Sequence, residues 1–289
     1  MPFRAWERHV SLTDLIRTDP EVRAQLAAAL TRPQFRSASC LIPARSTRRN
    51  VTGTAFDYLL RFELHRRHPG LAVHAGWWVA ELGGRGAPQP RKTQAFLKST
   101  RALVHAYVQG QADVREVALA CTVLAKLDLM YRSGWVDPDL LTPLPEMAEE
   151  LLALLDVVPF ENFRAARHLV LNPTFGKAGA AVGGADADLV VDDLLIDVKT
   201  TATAKVSLDE LRQLAGYVLL WRTGGLHVLA SPGHQVVVPA TIRRVGLYYA
   251  RYGQLVTVDL NDFLPAPGGD LLTAWWRARF GLLLGTEHP

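Results

Sequence analysis

The segment ADADLVVDDLLIDVKTT, Ala185 to Thr201, limits what this chain can fold into more sharply than any other stretch. Two apolar runs flank Asp192-Asp193, and a two-residue turn at that point predicts a β-hairpin in which Val191 faces Leu194. Every facing pair then has the same sum, so Asp188 lies opposite Asp197 and Asp186 opposite Lys199. Because side chains alternate along a strand, Asp186, Asp188, Asp197 and Lys199 project from one face. Ala187, Leu189, Val191, Leu194, Ile196 and Val198 form the other, an apolar surface suited to pack on helices. A four-residue loop preserves this register, whereas a three-residue loop breaks it.

Residues facing each other across an antiparallel pair have Cβ atoms about 4.5 to 5.5 Å apart, and like charges there are destabilising. Two compensations exist: one carboxyl takes a proton, or a hard divalent cation sits between them. Mg²⁺ favours one or two carboxylates together with water and substrate phosphate oxygens. Lys199 shares the face, and it is one of six lysines against 26 arginines. In a chain so biased towards arginine, a lysine on an apolar strand points to a need for a compact ammonium with a tunable pKa. The plainer alternative is the polar, solvent-facing side of an edge hairpin.

Around the hairpin, periodicity and caps predict a mixed α/β (α+β) protein. Asp19 is the expected N-cap of a helix over Pro20 to Leu30, with proline at its first position. An irregular arginine-bearing segment follows to Asn50, then a helix from about Thr54 to Arg67 closed by Pro69-Gly70. Gly83 to Pro90 reads as a loop, and Thr93 to Tyr131 and Pro145 to Asp156 as helical. After the Gly-rich GKAGAAVGG, strands are expected at Asp186 to Val191 and Leu194 to Thr200. A helix over Leu208 to Arg222 comes next, opened by the capping box Ser207-Leu-Asp-Glu210. Strands over Ile242 to Arg251 and Leu255 to Leu260, joined around Tyr252-Gly253-Gln254, and a helix over Asp270 to Leu284 complete the chain.

Charge is unevenly spread. Six arginines and no acid lie between Val22 and Phe56 (Arg23, Arg32, Arg36, Arg45, Arg48, Arg49). Five more bases and no acid lie between Leu82 and Ala112, among them Arg91 and Lys92, whereas Asp137 to Asp156 is acidic. Such segregation suits a polyanionic partner, although arginine-rich stretches also occur as plain solvated faces. Cys40 and Cys121 have no metal-ligand spacing, which excludes a cysteine-held iron-sulfur cluster and favours two buried small hydrophobes. No apolar run reaches the roughly 18 to 20 residues of a membrane span, and MPFRAWERHV lacks the apolar core of a secretory signal; the expectation is a cytoplasmic protein.

Asp188, then Asp197-Val198-Lys199, then a helix carrying Gln213-Leu-Ala-Gly-Tyr217 resembles the PD-(D/E)xK nuclease superfamily, and within it the RecB-like branch marked by Q-x-x-x-Y. Gly53-Thr54-Ala55-Phe56-Asp57-Tyr58-Leu59-Leu60-Arg61 is similar to that branch's G-T-x-x-H-x-x-L-E helix, with Asp57 in place of histidine and Arg61 in place of glutamate. The two-residue "PD" element is absent, since Ala187 precedes Asp188. The likeness covers residues 53–67 and 185–220. It implies a restriction-endonuclease-like mixed sheet flanked by helices, with a nuclease core over 51–262 interrupted by a helical insertion at about 91–170. Residues 1–50 then form an N-terminal helix and basic segment, and 263–289 a C-terminal helix.

The resemblance further implies a Mg²⁺- or Mn²⁺-dependent deoxyribonuclease. Asp188, Asp197, Lys199, Gln213 and Tyr217 would be catalytic. Asp57, Asp188, Asp197 and the Val198 carbonyl would hold the metal. Glu63 is the substitute for Asp57, because it shares a helical stripe with Phe56, Leu60 and Arg67. A plain Asp57–Arg61 helix-face pair is the structural alternative for Asp57, and a buried amide bonded to tyrosine that for Gln213 and Tyr217. Arg45, Arg48, Arg49, Arg91 and Lys92 are the expected DNA contacts. No Gly-rich loop ending in Gly-Lys-Ser/Thr occurs, so a helicase or ATPase motor would be another chain. Exonuclease and endonuclease, DNA and RNA, single and double strands, repair and defence, and monomer and homo-oligomer all stay open. Two other functions fit the same residues: a nuclease-fold scaffold that binds nucleic acid without cutting it, and a hydrolase of small phosphoesters.

Overall fold

A computed structural model describes residues 11–33, 38–203 and 205–282; Arg36 of the basic stretch and the expected Leu284 end of the last helix lie outside them. In chain order these residues form α1 (Leu12–Thr18), α2 (Pro20–Ala29), α3 (Arg49–Arg67), β1 (Val73–Ala75), α4 (Val79–Arg85), α5 (Pro90–Val108), α6 (Val114–Ser133) and α7 (Pro145–Asp156). There follow β2 (Leu169–Leu171), α8 (Gly176–Ala181), β3 (Leu189–Val191), β4 (Leu194–Lys199), α9 (Leu208–Gly224), β5 (Leu226–Ser231) and β6 (His234–Val238). The chain closes with β7 (Arg244–Tyr249), β8 (Gln254–Asp259), α10 (Leu260–Phe263) and α11 (Gly268–Arg279). One mixed sheet runs β1-β2-β3-β4-β7-β8, and β5 pairs with β6 separately. β4 and β7 are parallel, so a crossover must join them; α9 and the β5–β6 hairpin provide it.

The central hairpin takes the register that its turn dictates. Val191 faces Leu194, Val190 faces Leu195 and Leu189 faces Ile196. Asp192 adopts a left-handed φ of 54°, and its carboxylate accepts the amides of Ala166, Arg167 and His168, which ties the turn to the start of β2. The ladder ends at Leu189, however, short of the expected start at Asp186. Upstream, the chain swings from β4 onto residues 172–174. The Asn172 amide donates to the Asp188 carbonyl at 2.9 Å, the Ala187 amide to Pro173 at 2.9 Å, and Asp186 bridges Thr174. Asp186 therefore does not face Lys199, and Ala187 packs in the opposite core from Leu189.

Both faces of the sheet are covered, which overturns the edge-hairpin alternative. On one side Leu189, Val191, Leu194 and Ile196 meet Phe56, Leu59, Leu60, Leu124 and Leu151 of α3, α6 and α7. On the other, Val190 and Leu195 meet Leu12, Leu214, Val218 and Trp276 of α1, α9 and α11. Strands buried on both faces are apolar throughout their middle.

Caps fix several helices where the sequence places them. Asp19 accepts the Glu21 and Val22 amides ahead of Pro20, and Ser207 and Glu210 cap α9 reciprocally. Other boundaries move. α3 begins at Arg49, not Thr54, and the Thr93–Tyr131 run divides into α5 and α6. The Gly83–Pro90 loop is partly helical, because α4 continues to Arg85. Its glycines serve close approach rather than turning: a Cβ on Gly83 would lie 2.0 Å from the Leu127 carbonyl oxygen of α6. β2 falls at the end of the expected helical insertion, β7 is shorter than expected, and β8 is shifted by one residue. α1, α8 and strands β1, β2, β5 and β6 have no counterpart in the sequence reading. Cys121 is buried as expected, but Cys40 is exposed. No described helix is long and apolar enough to cross a membrane.

Candidate active site

A cleft of about 1070 Å³ opens where the N-terminal half of α3, the ends of β3 and β4, α9 and α6 meet. Asp57, Asp188, Asp197, Val198, Lys199, Gln213 and Tyr217 all line it. The local reason for α3's approach is Gly53: a Cβ there would lie 2.9 Å from the Thr200 hydroxyl, just past the end of β4. That contact seats Asp57, one turn on, beside the hairpin acids.

Where the ladder opens, the Asp188 side chain takes over from the backbone, and its carboxylate accepts the Val198 amide at 2.5 Å. Asp197, 3% exposed, forms an ion pair with Lys199 at 2.5 Å. Asp57 pairs with Arg61 through one oxygen, and its other oxygen is buried with no partner. Burial, against the pull of Arg61 and with the push of Asp128 and Asp186, raises the Asp57 carboxyl to about 6. Burial, then Asp57 and Asp197, holds Asp188 well above the usual carboxylate range. Asp188 therefore feels a carboxylate on either side.

Lys199 is the centre of a short polar chain. Its Nζ donates to Gln213 Oε1 at 2.8 Å, and the Gln213 amide nitrogen donates to the Tyr217 hydroxyl at 2.9 Å and to Thr13 at 3.3 Å. With its oxygen committed to an ammonium, the amide must present its nitrogen to the tyrosine. Tyr217 stacks on Phe175 with centroids 5.7 Å apart, and burial followed by Asp197 and Asp188 raises its pKa far above normal. Gln213 and Tyr217 do bond to each other, as the structural alternative has it, but the amide also holds Lys199. Burial draws the Lys199 pKa down, yet Asp197, with help from Asp188 and Glu210, lifts it above the ordinary value. The ammonium is thus held charged, not tuned towards a neutral base.

The helical middle of the chain supplies two further cleft residues that the sequence reading missed. Asp128 of α6 accepts from the Tyr58 hydroxyl at 2.9 Å and from Arg132 at 2.6 Å, and Arg132 grips Asp186 with two bonds of 3.0 and 2.7 Å. The signal was present: Asp128 falls one turn past Leu124 on the buried stripe of α6. Asp186 is consequently a salt-bridge partner of α6. Burial would raise its pKa, but Arg132 pulls it below normal.

Five aspartates line this part of the cleft (Asp57, Asp128, Asp186, Asp188 and Asp197) and three cations answer them (Arg61, Arg132, Lys199). The formal excess is two negative charges. In donor type and charge the site suits one hard divalent cation. As the side chains stand, however, no group of three or more His, Cys, Asp or Glu among the described residues is arranged to hold a metal. The reason is visible: Asp57 is turned onto Arg61 and Asp188 onto the Val198 amide.

Glu63 is not part of the cleft. It accepts from Arg66 at 2.6 and 2.7 Å, from Arg67 at 2.6 Å and from Tyr107 at 2.5 Å, and although burial opposes them these bonds lower its pKa. Of the expected DNA contacts only Arg49 lines the cleft. Arg48 pairs with Asp137 at 2.6 Å, Arg45 is exposed, and Arg91 and Lys92, exposed in the first turn of α5, are not among the lining residues.

A buried pair fixes the basic segment to the site. Arg251, 2% exposed, donates to Glu150, 1% exposed, at 2.5 Å, to the Thr200 carbonyl at 2.8 Å and to the Ile42 carbonyl at 3.3 Å. Glu150 in turn accepts the Ser46 amide at 2.9 Å and the Arg45 amide at 3.3 Å. The arginine segment is therefore anchored to the residue that follows Lys199.

The fold and cleft define a mixed α/β protein with a buried cluster of acids in an open cleft that Arg49 also lines. Comparison with protein-family models, curated proteins and solved structures finds no match to this chain.

Proposed function

We propose that this protein is a metal-dependent nuclease that hydrolyses phosphodiester bonds of DNA through a PD-(D/E)xK site on a restriction-endonuclease-like fold. One observation carries the reading. Acids from α3, from the residue preceding β3 and from β4 converge beside a charged lysine in one open cleft, with a formal excess of two negative charges in its acid cluster. A mixed sheet flanked by helices, with a largely helical stretch between α3 and β3, supports it further. Asp188, Asp197 and the Val198 carbonyl, with Asp57, would hold Mg²⁺ or Mn²⁺. When bound, such an ion polarises a phosphate and lowers the pKa of water.

The chain's own residues do the rest. Lys199, kept charged by Asp197, faces the volume where negative charge develops on the phosphate and stabilises it there. Gln213 fixes the direction of the Lys199 ammonium, and Tyr217 fixes Gln213. Arg49 at the cleft, with Arg45 and Arg48 behind it, neutralises backbone phosphates without reading sequence.

The test uses labelled linear, circular, single-stranded and double-stranded DNA with Mg²⁺ or Mn²⁺. Wild type should cleave, and Lys199→Ala and Asp197→Ala should not, while both stay folded by circular dichroism. Full cleavage by either variant would refute the assignment. Calorimetric titration with Mn²⁺ should show binding to wild type and none to Asp188→Ala. Absence of Mn²⁺ binding to wild type, with DNA still bound, would instead favour a nuclease-fold scaffold.

A further inference from the structure

The acids of the cleft fall into two halves, and Asp57 is coupled electrostatically to both. In one half Asp188 and Asp197 stand at the hairpin with Lys199. In the other, Asp128 of α6 and Asp186 ahead of β3 are held by a single guanidinium. Arg132 donates to Asp128 at 2.6 Å and to the two oxygens of Asp186 at 3.0 and 2.7 Å. Two carboxylates that touch one planar group lie within a few ångströms of each other, which is the make-up of a cation site. The buried Arg61 closes this half from α3. It pairs with Asp57, donates to the Asp57 carbonyl at 3.2 Å and lies 4.5 Å over the Tyr58 ring. The Tyr58 hydroxyl donates to Asp128 at 2.9 Å and is itself fixed by the Ala80 amide at 3.1 Å. Of the six carboxylate oxygens on Asp57, Asp128 and Asp186, five accept from Arg61, Arg132 or Tyr58, and Asp57 Oδ1 accepts from none.

Charge agrees with the contacts. Asp128, then Asp186, push the Arg132 guanidinium far above its ordinary pKa. Burial opposes the charge on Arg61, but Asp57, Tyr58, Asp128 and Asp188 together outweigh it. Both arginines therefore stay charged where they are. Asp57, Asp128 and Asp186 against Arg61 and Arg132 leave one negative charge in this half, and Asp188 and Asp197 against Lys199 leave one in the other. A single divalent ion neutralises the two. A second would turn the cluster positive and would have to displace a guanidinium from its acids, at the cost of an unpaired cation. We infer that Arg132 and Arg61 fill the place of a second cation with guanidinium groups, so that the cleft takes one divalent ion, on the hairpin side. The ion at the hairpin rests on the proposed nuclease reading, whereas the arginine-filled half rests on its own contacts.

The probe is Mn²⁺ alone, without DNA, and the free ion is counted by electron paramagnetic resonance near neutral pH. Wild type should bind one Mn²⁺ per chain. Arg132→Met bares Asp128 and Asp186 and should raise the count to two, while Arg132→Lys, which keeps the charge, should stay at one. The double variant Arg132→Met/Asp186→Asn should return to one, which locates the added ion. Circular dichroism checks each fold, and if Arg132→Met does not fold, Arg132→Gln, which keeps a donor for Asp128, carries the same expectation. Two ions in wild type, no added ion in the neutral variant, or an added ion in Arg132→Lys would each overturn the proposal and leave the nuclease reading standing. No ion in wild type but one in Arg132→Met would sink the nuclease reading and support the arginine-filled site. No ion in either would overturn both.

Discussion

The Asp57 carboxyl gives the sharpest measurable consequence of the buried acid cluster. Raising a carboxyl from 3.8 to about 6 corresponds to roughly 3 kcal/mol against the folded, metal-free state. Between those two values the folded protein holds a proton that the unfolded chain has released, so stability must fall as pH rises. The cost is absent below 3.8, grows by up to about 1.4 kcal/mol per pH unit, and is constant above 6. Asp57→Asn removes this dependence while keeping shape. It leaves Arg61 without its ionic partner, which is an offset that does not vary with pH in this range. The variant also relieves Asp188, and that acts in the same direction. Chemical denaturation of wild type and Asp57→Asn in chelator, from pH 4 to 7.5, should show wild type losing about 2.5 kcal/mol relative to the variant, the rest of the cost having appeared below pH 4. A gap that is flat with pH, or that moves in wild type's favour as pH rises, would refute the charge assignment at Asp57. Added Mn²⁺ should stabilise wild type more at pH 7.5 than at pH 5, because its ligands must be deprotonated.

Three other perturbations test separate links. Tyr217→Phe removes the hydroxyl that orients Gln213; cleavage should drop about tenfold at saturating DNA with little change in half-saturation or melting temperature, and an unchanged rate would detach Tyr217 from the Lys199 chain. Arg251→Met strands Glu150 in the core and frees the Thr200 and Ile42 carbonyls. A loss of roughly 3 to 5 kcal/mol in denaturation is expected, and the double variant Arg251→Met/Glu150→Leu should recover part of it. Gly83→Ala forces a Cβ onto the α6 backbone and should cost at least about 1 to 3 kcal/mol, whereas Gly70→Ala, with open space around it, should show only the smaller strain of its left-handed φ of 85°.

Much of the site was legible because it is local. A two-residue turn and period-2 alternation are enough to bring Asp188 towards Asp197, and a capping box plus a four-residue spacing put Gln213 and Tyr217 on one face of α9. Lys199 two residues past Asp197 needs no tertiary information at all. Sequence also set the apolar middle of β3 and β4, the caps of α2 and α9, and the two-residue turn. Strands β1 and β2 are too short to display a period; β3 is equally short and was legible only because the Asp192-Asp193 turn ties it to β4.

Long-range geometry decided the remainder. Asp186 leaves Lys199 for Arg132 because residues 172–174 capture the backbone before β3, and nothing in residues 185–201 encodes that competitor. Asp57 sits against Arg61 on its own helix, yet whether that helix reaches the hairpin depends on Gly53 meeting Thr200, a contact between residues far apart in sequence. Glu63 shares its helix with Asp57 but is claimed by Arg66, Arg67 and Tyr107 outside the cleft. Asp128 pairs with Arg132, and Glu150 with Arg251, only because packing brings α6 to the cleft and α7 to the end of β7. Sequence by itself determined which chemical groups stand at the end of the hairpin. Only the tertiary structure decided which cation answers which acid, since a charge takes its partner from whatever the fold places within a few ångströms in a medium that water no longer screens.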